Sequence, residues 1–295
     1  MKNKSTILIL GASGMLGHAL YNFLSKESNL RVFGTIRNED SLILFSKAQA
    51  KNIITGVDAQ NFDTVFAALT KIKPQIVINC IGIIKHISLA DEVLKTVPIN
   101  TLLPHRLAIA TKKMNARLIL VSTDCVFSGE KGNYAESDPA DCKTVYGISK
   151  YLGEISNQKN VLTIRTSIIG HELRGGHSLV NWFLNQKDVA TGYANALYAG
   201  LPTIELAHII RDLIIPNNTL WGLYHIASKP ISKFDLLALI AQIYGKKIKL
   251  KKSSAPRINR SLNCSKFKKV TGYKPKTWKR LITEMHSNFQ ANYLS

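Results

Sequence analysis

The sequence predicts an α/β fold, a doubly wound parallel sheet covered by helices on both faces, with a small lobe toward the C-terminus. Three observations predict it. Short apolar runs alternate with stretches of helical periodicity over the first 166 residues, with no hairpin turns between them. The first run ends in three glycines at three-residue intervals, Gly11, Gly14 and Gly17, and leads directly into a helical pattern. At 295 residues, the chain is long enough to bury one large core, with or without a smaller appendage.

The elements follow in order. Ile7 to Leu10 is an apolar, β-prone run, and Met15, Leu16, Ala19, Leu20, Phe23 and Leu24 recur at helical spacing. This pattern predicts the strand, glycine turn and helix start of a Rossmann-type dinucleotide site, the alternative being a glycine turn in some other α/β protein. Unpaired N–H groups and the helix dipole favour an anion there. Gly11 lets the chain turn, Gly14 lets a pyrophosphate approach the backbone, and Gly17 lets helix and strand pack closely. Ser13, Met15 and Leu16 complete the loop expected to hold the cofactor. Strands are expected at Leu30–Gly34, Asn52–Val57, Gln75–Asn79, Arg117–Ser122 and Val161–Arg165. Helices are expected at Asn61–Lys73, over most of 90–114 with breaks at Pro98 and Pro104, and near Tyr146–Asn157. After Ser167 the alternation weakens. Helices at Ser178–Gln186, Ile204–Ile215, Lys233–Tyr244 and Trp278–Phe289 and a strand at Leu223–Ala227 remain. The expected division is a Rossmann domain over 1–166, with the chain returning near 204–228, and a substrate-binding lobe from 167–203 and 229–295.

Composition narrows the class. The Met-Lys-Asn-Lys start runs straight into the first strand, and no long uncharged apolar run follows. No membrane span and no secretory leader are expected, which points to the cytoplasm. Cys80, Cys125, Cys142 and Cys264 lack metal-binding or paired spacing, so free thiols and no metal are expected. The net charge is +20, and between Lys246 and Arg280 fourteen Lys or Arg occur with no Asp or Glu. That run either steers a polyanionic substrate or is a solvated basic face. No recognised nucleic-acid motif accompanies it, so no nucleic-acid partner is expected.

An acid about 20 positions past the glycines would accept the ribose 2′-hydroxyl of NAD. The second strand ends instead in Gly34-Thr35-Ile36-Arg37. Arg37 suits a 2′-phosphate and Thr35 could donate to it, so NADP (as NADPH) is preferred to NAD. Otherwise Arg37 is a surface arginine. Tyr146 and Lys150 lie one turn apart on one helix face, and no other tyrosine has a lysine four residues on. An ammonium beside a phenol lowers its pKa, and such a phenol can give a proton to a carbonyl oxygen as hydride arrives. Ser122-Thr123-Asp124 follows the fifth strand, where a Thr hydroxyl could hydrogen-bond that oxygen. Asn79 ends the fourth strand near the expected nicotinamide.

These residues resemble the extended short-chain dehydrogenase/reductases, and more narrowly the dTDP-4-dehydrorhamnose reductase group, over nearly the whole chain. The carriers are Leu10–Gly17, Val77–Asn79, Ile99–Leu103, Ser122–Gly129, Tyr146–Lys150, Arg165–Ser167 and Gly222–Ala227. The resemblance implies Tyr146 as proton donor, Lys150 holding the nicotinamide ribose and Thr123 polarising a sugar 4-keto oxygen. It also implies that Asn100 supports the lysine through water and that Asp58 lies near the adenine. Lys85, His86, Asp124 and Cys125 fall near the expected sugar. Asn181, and Trp182 unless it is core, fall near the base, and one of Arg257 and Arg260 near a diphosphate. Cys125 stands where the group typically has tyrosine, and Ile168 where it has tryptophan, so another 4-keto-6-deoxysugar, dTDP- or UDP-linked, competes as substrate. The resemblance implies an NADPH-dependent reductase for surface polysaccharide or O-antigen assembly. Alternatives are an epimerase or dehydratase, or a cofactor-binding regulatory subunit like the methionine adenosyltransferase beta subunit. Homodimers and magnesium occur in the group, but no acidic cluster supports carrying the metal over.

Overall fold

A computed structural model of the chain describes residues 4–85, 88–176 and 178–293. They form two compact units. The first comprises Met1–Ser122, Thr144–Ile164 and Ile214–Leu223; the second comprises Thr123–Lys143, Arg165–Leu213 and Tyr224–Ser295.

In the first unit, β1 (Ser5–Leu10) leads through the glycine turn into α1 (Met15–Leu24), and β2 (Leu30–Thr35) pairs with β1 in parallel. A short α2 (Lys47–Ala50) is closed by a capping box between Ser46 and Gln49. Next, β3 (Ile53–Ile54) pairs with β2, and α3 (Phe62–Ile72) begins at Asn61, whose side chain accepts the Asp63 N–H. Then β4 (Ile76–Asn79) adds to the other side of β1. Helix α4 (Val93–Val97) and helix α5 (Leu103–Lys113) flank a π-helical turn at Pro98–Leu102. The unit continues with β5 (Arg117–Thr123) as far as Ser122, α6 (Val145–Leu152) and β6 (Val161–Thr166) as far as Ile164. Alternate residues of β1, β4 and β5 explain the apolar runs. Leu8, Leu10, Val77, Leu118 and Leu120 pack with Val65 and Leu69 of α3 and Leu103 and Leu107 of α5. Ile7, Ile9, Ile78 and Ile119 between them are also fully buried, so both faces are covered.

The second unit holds β7 (Ile168–Ile169), α7 (Leu179–Asn185), β8 (Val189–Tyr193), β9 (Ala196–Tyr198), β10 (Leu201–Pro202) and α8 (Thr203–Ile209). After β11 (Gly222–His225) come β12 (Ile231–Ser232), α9 (Lys233–Ile243), β13 (Lys249–Ser253), β14 (Ile258–Asn259), α10 (Ser265–Thr271) and α11 (Trp278–Tyr293). Among the described residues three small sheets form: β10 with β7, β12-β9-β14, and β13 with β8. The division of the chain differs from the expected one. Residues 123–143 belong to the second unit because Val126, Phe127 and Tyr134 share a core with Ala199, Ala227 and Leu262. The return to the first unit shrinks to 214–223, since Glu205 of α8 pairs with Lys276 in the second. Among the described residues no helix is long and apolar enough to cross a membrane.

The main sheet runs β11-β6-β5-β4-β1-β2-β3. Strand order reverses between β1 and β4, and ligands of open α/β sheets bind in the crevice at such a point, beyond the strands' carboxyl ends. Gly11, Asn79 and Cys80 stand there.

Candidate active site

The glycine turn is built from backbone constraints. Gly11 has φ +79, a left-handed conformation that glycine adopts without strain. Its N–H donates to the Thr35 hydroxyl at 3.2 Å, and the Ala12 N–H to the Thr35 carbonyl at 2.8 Å. A Cβ on Gly17 would fall on the Gly11 carbonyl oxygen, so helix and turn meet backbone to backbone. Gly14 differs. It is extended (φ −81, ψ 161), and a Cβ there would meet only the Gly11 oxygen at 3.5 Å. The protein's own packing does not require glycine at that position, whereas an approaching phosphate would. Helix α1 has no side-chain cap and no acid in its first turn, which leaves its N-terminus suited to an anion. Ser13 and Met15 are half-buried, and Leu16 packs into the core and offers only its backbone.

Thr35 departs from expectation. It is 1% exposed and its hydroxyl accepts the Gly11 N–H, so it shapes the turn instead of presenting a donor to a 2′-phosphate. Arg37 is exposed beyond the end of β2. Asp58 is half-buried and accepts the Gln60 N–H at 3.0 Å. Buried Asn79 accepts the Ile81 N–H at 3.1 Å, and Lys85 is exposed. His86 lies outside the described residues.

Thr144 starts α6 by accepting the Gly147 N–H at 3.1 Å. Tyr146 is half-buried on the first turn, and Lys150 follows one turn on. The Lys150 ammonium donates to the Val121 carbonyl of β5 at 2.7 Å. Burial brings its pKa down to about 8, while Glu154 and Cys80 act in the opposite direction. The Cys80 thiol is pushed up to about 12 by burial, so it is neutral at physiological pH. Asn100, in the π-helical turn, accepts the Ile83 N–H at 2.9 Å and donates to the Ile83 carbonyl at 3.1 Å and the Ser149 hydroxyl at 3.3 Å. Its amide thus fixes the segment after β4 against α6. Sequence reasoning passes over Glu154, whose carboxylate accepts the Ser122 hydroxyl at 2.6 Å. The repeat of the four-residue spacing, 146, 150, 154, was the available signal.

Thr123, Asp124 and Cys125 belong to the second unit. The Thr123 hydroxyl accepts the Cys125 N–H at 3.1 Å and donates to the Asp124 carboxylate at 3.2 Å, capping the 3₁₀ turn Asp124–Val126. The loop beyond is locked from inside. Tyr134 stacks on Phe127 with ring centroids 4.0 Å apart, and Arg165 lies over the Phe127 ring at 5.1 Å. Fully buried His225 shares Nδ1 with the Tyr134 carbonyl at 3.0 Å and Nε2 with Arg165 Nη1 at 3.3 Å. A carbonyl only accepts and a guanidinium only donates, so the ring is neutral with its proton on Nδ1. Burial and Arg165 hold its pKa down at about 4.

Asn181 departs from its expected place beside a base. Its side-chain oxygen accepts the Glu172 N–H at 3.0 Å and the Ser178 hydroxyl at 3.1 Å, and its amide donates to the Glu172 carbonyl at 3.4 Å. It clamps its own loop. Trp182 beside it is part-exposed. Of the two arginines, Arg257 is exposed, while Arg260 is half-buried with Nε donating to the Phe127 carbonyl at 2.8 Å.

A family model described as the RmlD substrate binding domain matches residues 5–291. The chain belongs to this family. It is 25% identical to a dTDP-4-dehydrorhamnose reductase of Aggregatibacter actinomycetemcomitans, over 95% of this chain and 98% of that one. It is 26% identical to the spore coat polysaccharide biosynthesis protein SpsK of Bacillus subtilis, over 94% and 95%. The fold matches a solved dTDP-4-dehydrorhamnose reductase of Bacillus anthracis in complex with NADP, with a TM-score of 0.78, 20% identity and coverage of 98% and 99%. Within the RmlD family, then, the residues divide between the two units. The glycine turn, Arg37, Asp58, Asn79, Lys85, Tyr146 and Lys150 are in the first; Thr123, Asp124, Cys125, Asn181, Arg257 and Arg260 are in the second.

Proposed function

We propose that this chain reduces the 4-keto group of a nucleotide-linked 6-deoxysugar with NADPH, in the assembly of a surface polysaccharide. It is an NAD(P)-dependent oxidoreductase. The observation that carries the reading is Lys150, a buried ammonium anchored to the Val121 carbonyl one helical turn from Tyr146. The uncapped α1 with its open Gly14 fits a pyrophosphate, and exposed Arg37 fits a 2′-phosphate. NADPH, when bound, supplies the hydride.

The protein's residues do the rest. Lys150 would hold the nicotinamide ribose, and its ammonium favours the phenolate of Tyr146. Tyr146 donates the proton to the keto oxygen, and the Thr123 hydroxyl, turning its proton from the Asp124 carboxylate, donates a hydrogen bond to that oxygen. Asp124, Cys125 and Lys85 are assigned to sugar recognition, and Arg257 or Arg260 to the diphosphate. The dTDP-sugar reductase among the relatives and the spore coat polysaccharide protein support this substrate class. Cys125 and Ile168 leave dTDP-4-dehydrorhamnose in competition with UDP-linked 4-keto sugars.

The test is NADPH oxidation with a panel of dTDP- and UDP-linked 4-keto-6-deoxysugars, in wild type and Tyr146→Phe. Turnover of at least one substrate, lost by about two orders of magnitude or more in the variant, is expected for a proton donor. NADPH binding without turnover of any panel member would overturn the reductase reading, and full activity in Tyr146→Phe would remove the assigned donor.

A further inference from the structure

We infer that Glu154 is a positioning residue for Lys150, its carboxylate held by the Ser122 hydroxyl as the lysine's counter-charge. The inference rests on the reading of Lys150 as the lysine that holds the cofactor ribose. Two adjacent residues of β5 receive the two side chains. The Val121 carbonyl takes the ammonium at 2.7 Å, and the Ser122 hydroxyl donates to the carboxylate at 2.6 Å. The end of α6 is fixed where this requires it. A Cβ on Gly153 would fall on the Asn100 carbonyl oxygen, and the Glu154 N–H continues the turn to the Tyr151 carbonyl at 3.0 Å.

Helix stability does not account for this glutamate. A carboxylate at a helix C-terminus opposes the dipole, and glutamate following lysine by four residues is the poorer order for an ion pair. The groups acting on the Lys150 charge are Glu154, from beyond α6, and Cys80, from the segment after β4. Gly82 of that segment presents no charge; a Cβ on it would lie 3.9 Å from the ammonium. Cys80 is a neutral thiol at physiological pH, which leaves Glu154 as the anion. Without it, burial alone would govern the lysine, and the ammonium would be lost at lower pH.

The direct test needs no cofactor. With lysine carrying ¹³C at Cε, the Lys150 resonance, assigned by its loss in Lys150→Met, is titrated in wild type, Glu154→Gln and Ser122→Ala. Glu154→Gln keeps the shape and an acceptor for Ser122 but removes the charge. Its midpoint is expected to fall by about one pH unit, and Ser122→Ala, which frees the carboxylate, is expected to shift the same way by less. An unchanged midpoint in folded Glu154→Gln overturns the inference. NADPH affinity against pH is then measured on the same proteins. A loss of affinity that moves down with the lysine midpoint supports the positioning role. A moved midpoint with an unmoved affinity profile overturns the assignment of Lys150 to the ribose and leaves the influence of the Glu154 charge on Lys150 standing.

Discussion

Gly14 and Gly17 carry opposite expectations that one pair of variants separates. In Gly17→Ala the new methyl meets the Gly11 carbonyl oxygen and lies 3.1 Å from the Ala12 Cα, all of it backbone. Nothing can yield there unless the β1–α1 turn moves. Overpacking of this kind costs about 1–3 kcal/mol. At roughly 2–4 °C per kcal/mol, the scale for chains of about 150–250 residues, the melting temperature should drop by roughly 2–12 °C. Gly14→Ala has room, since its only near neighbour would be 3.5 Å away and its φ and ψ suit any residue. It should leave stability unchanged or raise it by about 0.4–1 kcal/mol through a less flexible unfolded chain. Its methyl would nonetheless stand where the pyrophosphate approaches, with an expected loss of NADPH affinity of about tenfold or more, or about 1.4 kcal/mol. Thermal melting and a fluorescence titration with NADPH read both quantities. Wild-type NADPH affinity in Gly14→Ala would refute the placement of the pyrophosphate, and a wild-type melting temperature in Gly17→Ala would refute the backbone contact.

Arg37→Ala should weaken NADPH by about tenfold while leaving NADH nearly unchanged, because one charge-assisted phosphate contact is lost; equal losses would count against the 2′-phosphate. Asn181→Ala should lower stability by about 1–3 kcal/mol, the range for unsatisfied buried partners, with little change in substrate KM; a large KM rise would return Asn181 to the substrate. Lys276 bridges Glu205 and Glu284 at 2.6 and 2.7 Å, and burial already raises the Glu205 pKa. Lys276→Met should therefore cost about 3–5 kcal/mol at neutral pH. Glu205 titrates still higher without its cation, so the loss should be small below about pH 4.3, the unfolded glutamate value, and grow as pH rises through the folded pKa. A deficit independent of pH in melting curves would show that packing, not charge, is at stake.

The central sheet was legible because its strands are buried on both faces. Ile7–Leu10 and Ile76–Ile78 read as continuous apolar runs, and nothing distant is needed to interpret them. The second unit was not legible in the same way. In β13, exposed Lys249, Lys251 and Lys252 surround Leu250, and the run reads as a basic stretch. What makes it a strand is parallel pairing with Val189–Tyr193, some sixty residues earlier in the chain. The strand expected at Asn52–Val57 contracts to two residues, as Gly56 takes φ +73 and the chain turns away. The helix expected across 90–114 passes through a π-helical turn where Pro98 lacks an N–H. At the site, the glycine spacing and the Tyr146–Lys150 interval are local signals and could be read directly. Thr35 and Asn181 are short polar side chains, whose partners are chosen by folding and not by spacing.

His225 gives the molecule a quiet kind of robustness. With its proton fixed on Nδ1 by the Tyr134 carbonyl and its Nε2 taken by Arg165, the ring would have to break a bond to accept a second proton. Its pKa near 4 keeps it uncharged throughout the range in which an ordinary histidine titrates. The loop that begins at Thr123 is thus pinned by a histidine that cannot act as a pH sensor. A response of activity to pH above about 5 is therefore not expected from His225, and under the proposed function Lys150, whose pKa burial brings down to about 8, is the residue expected to give one.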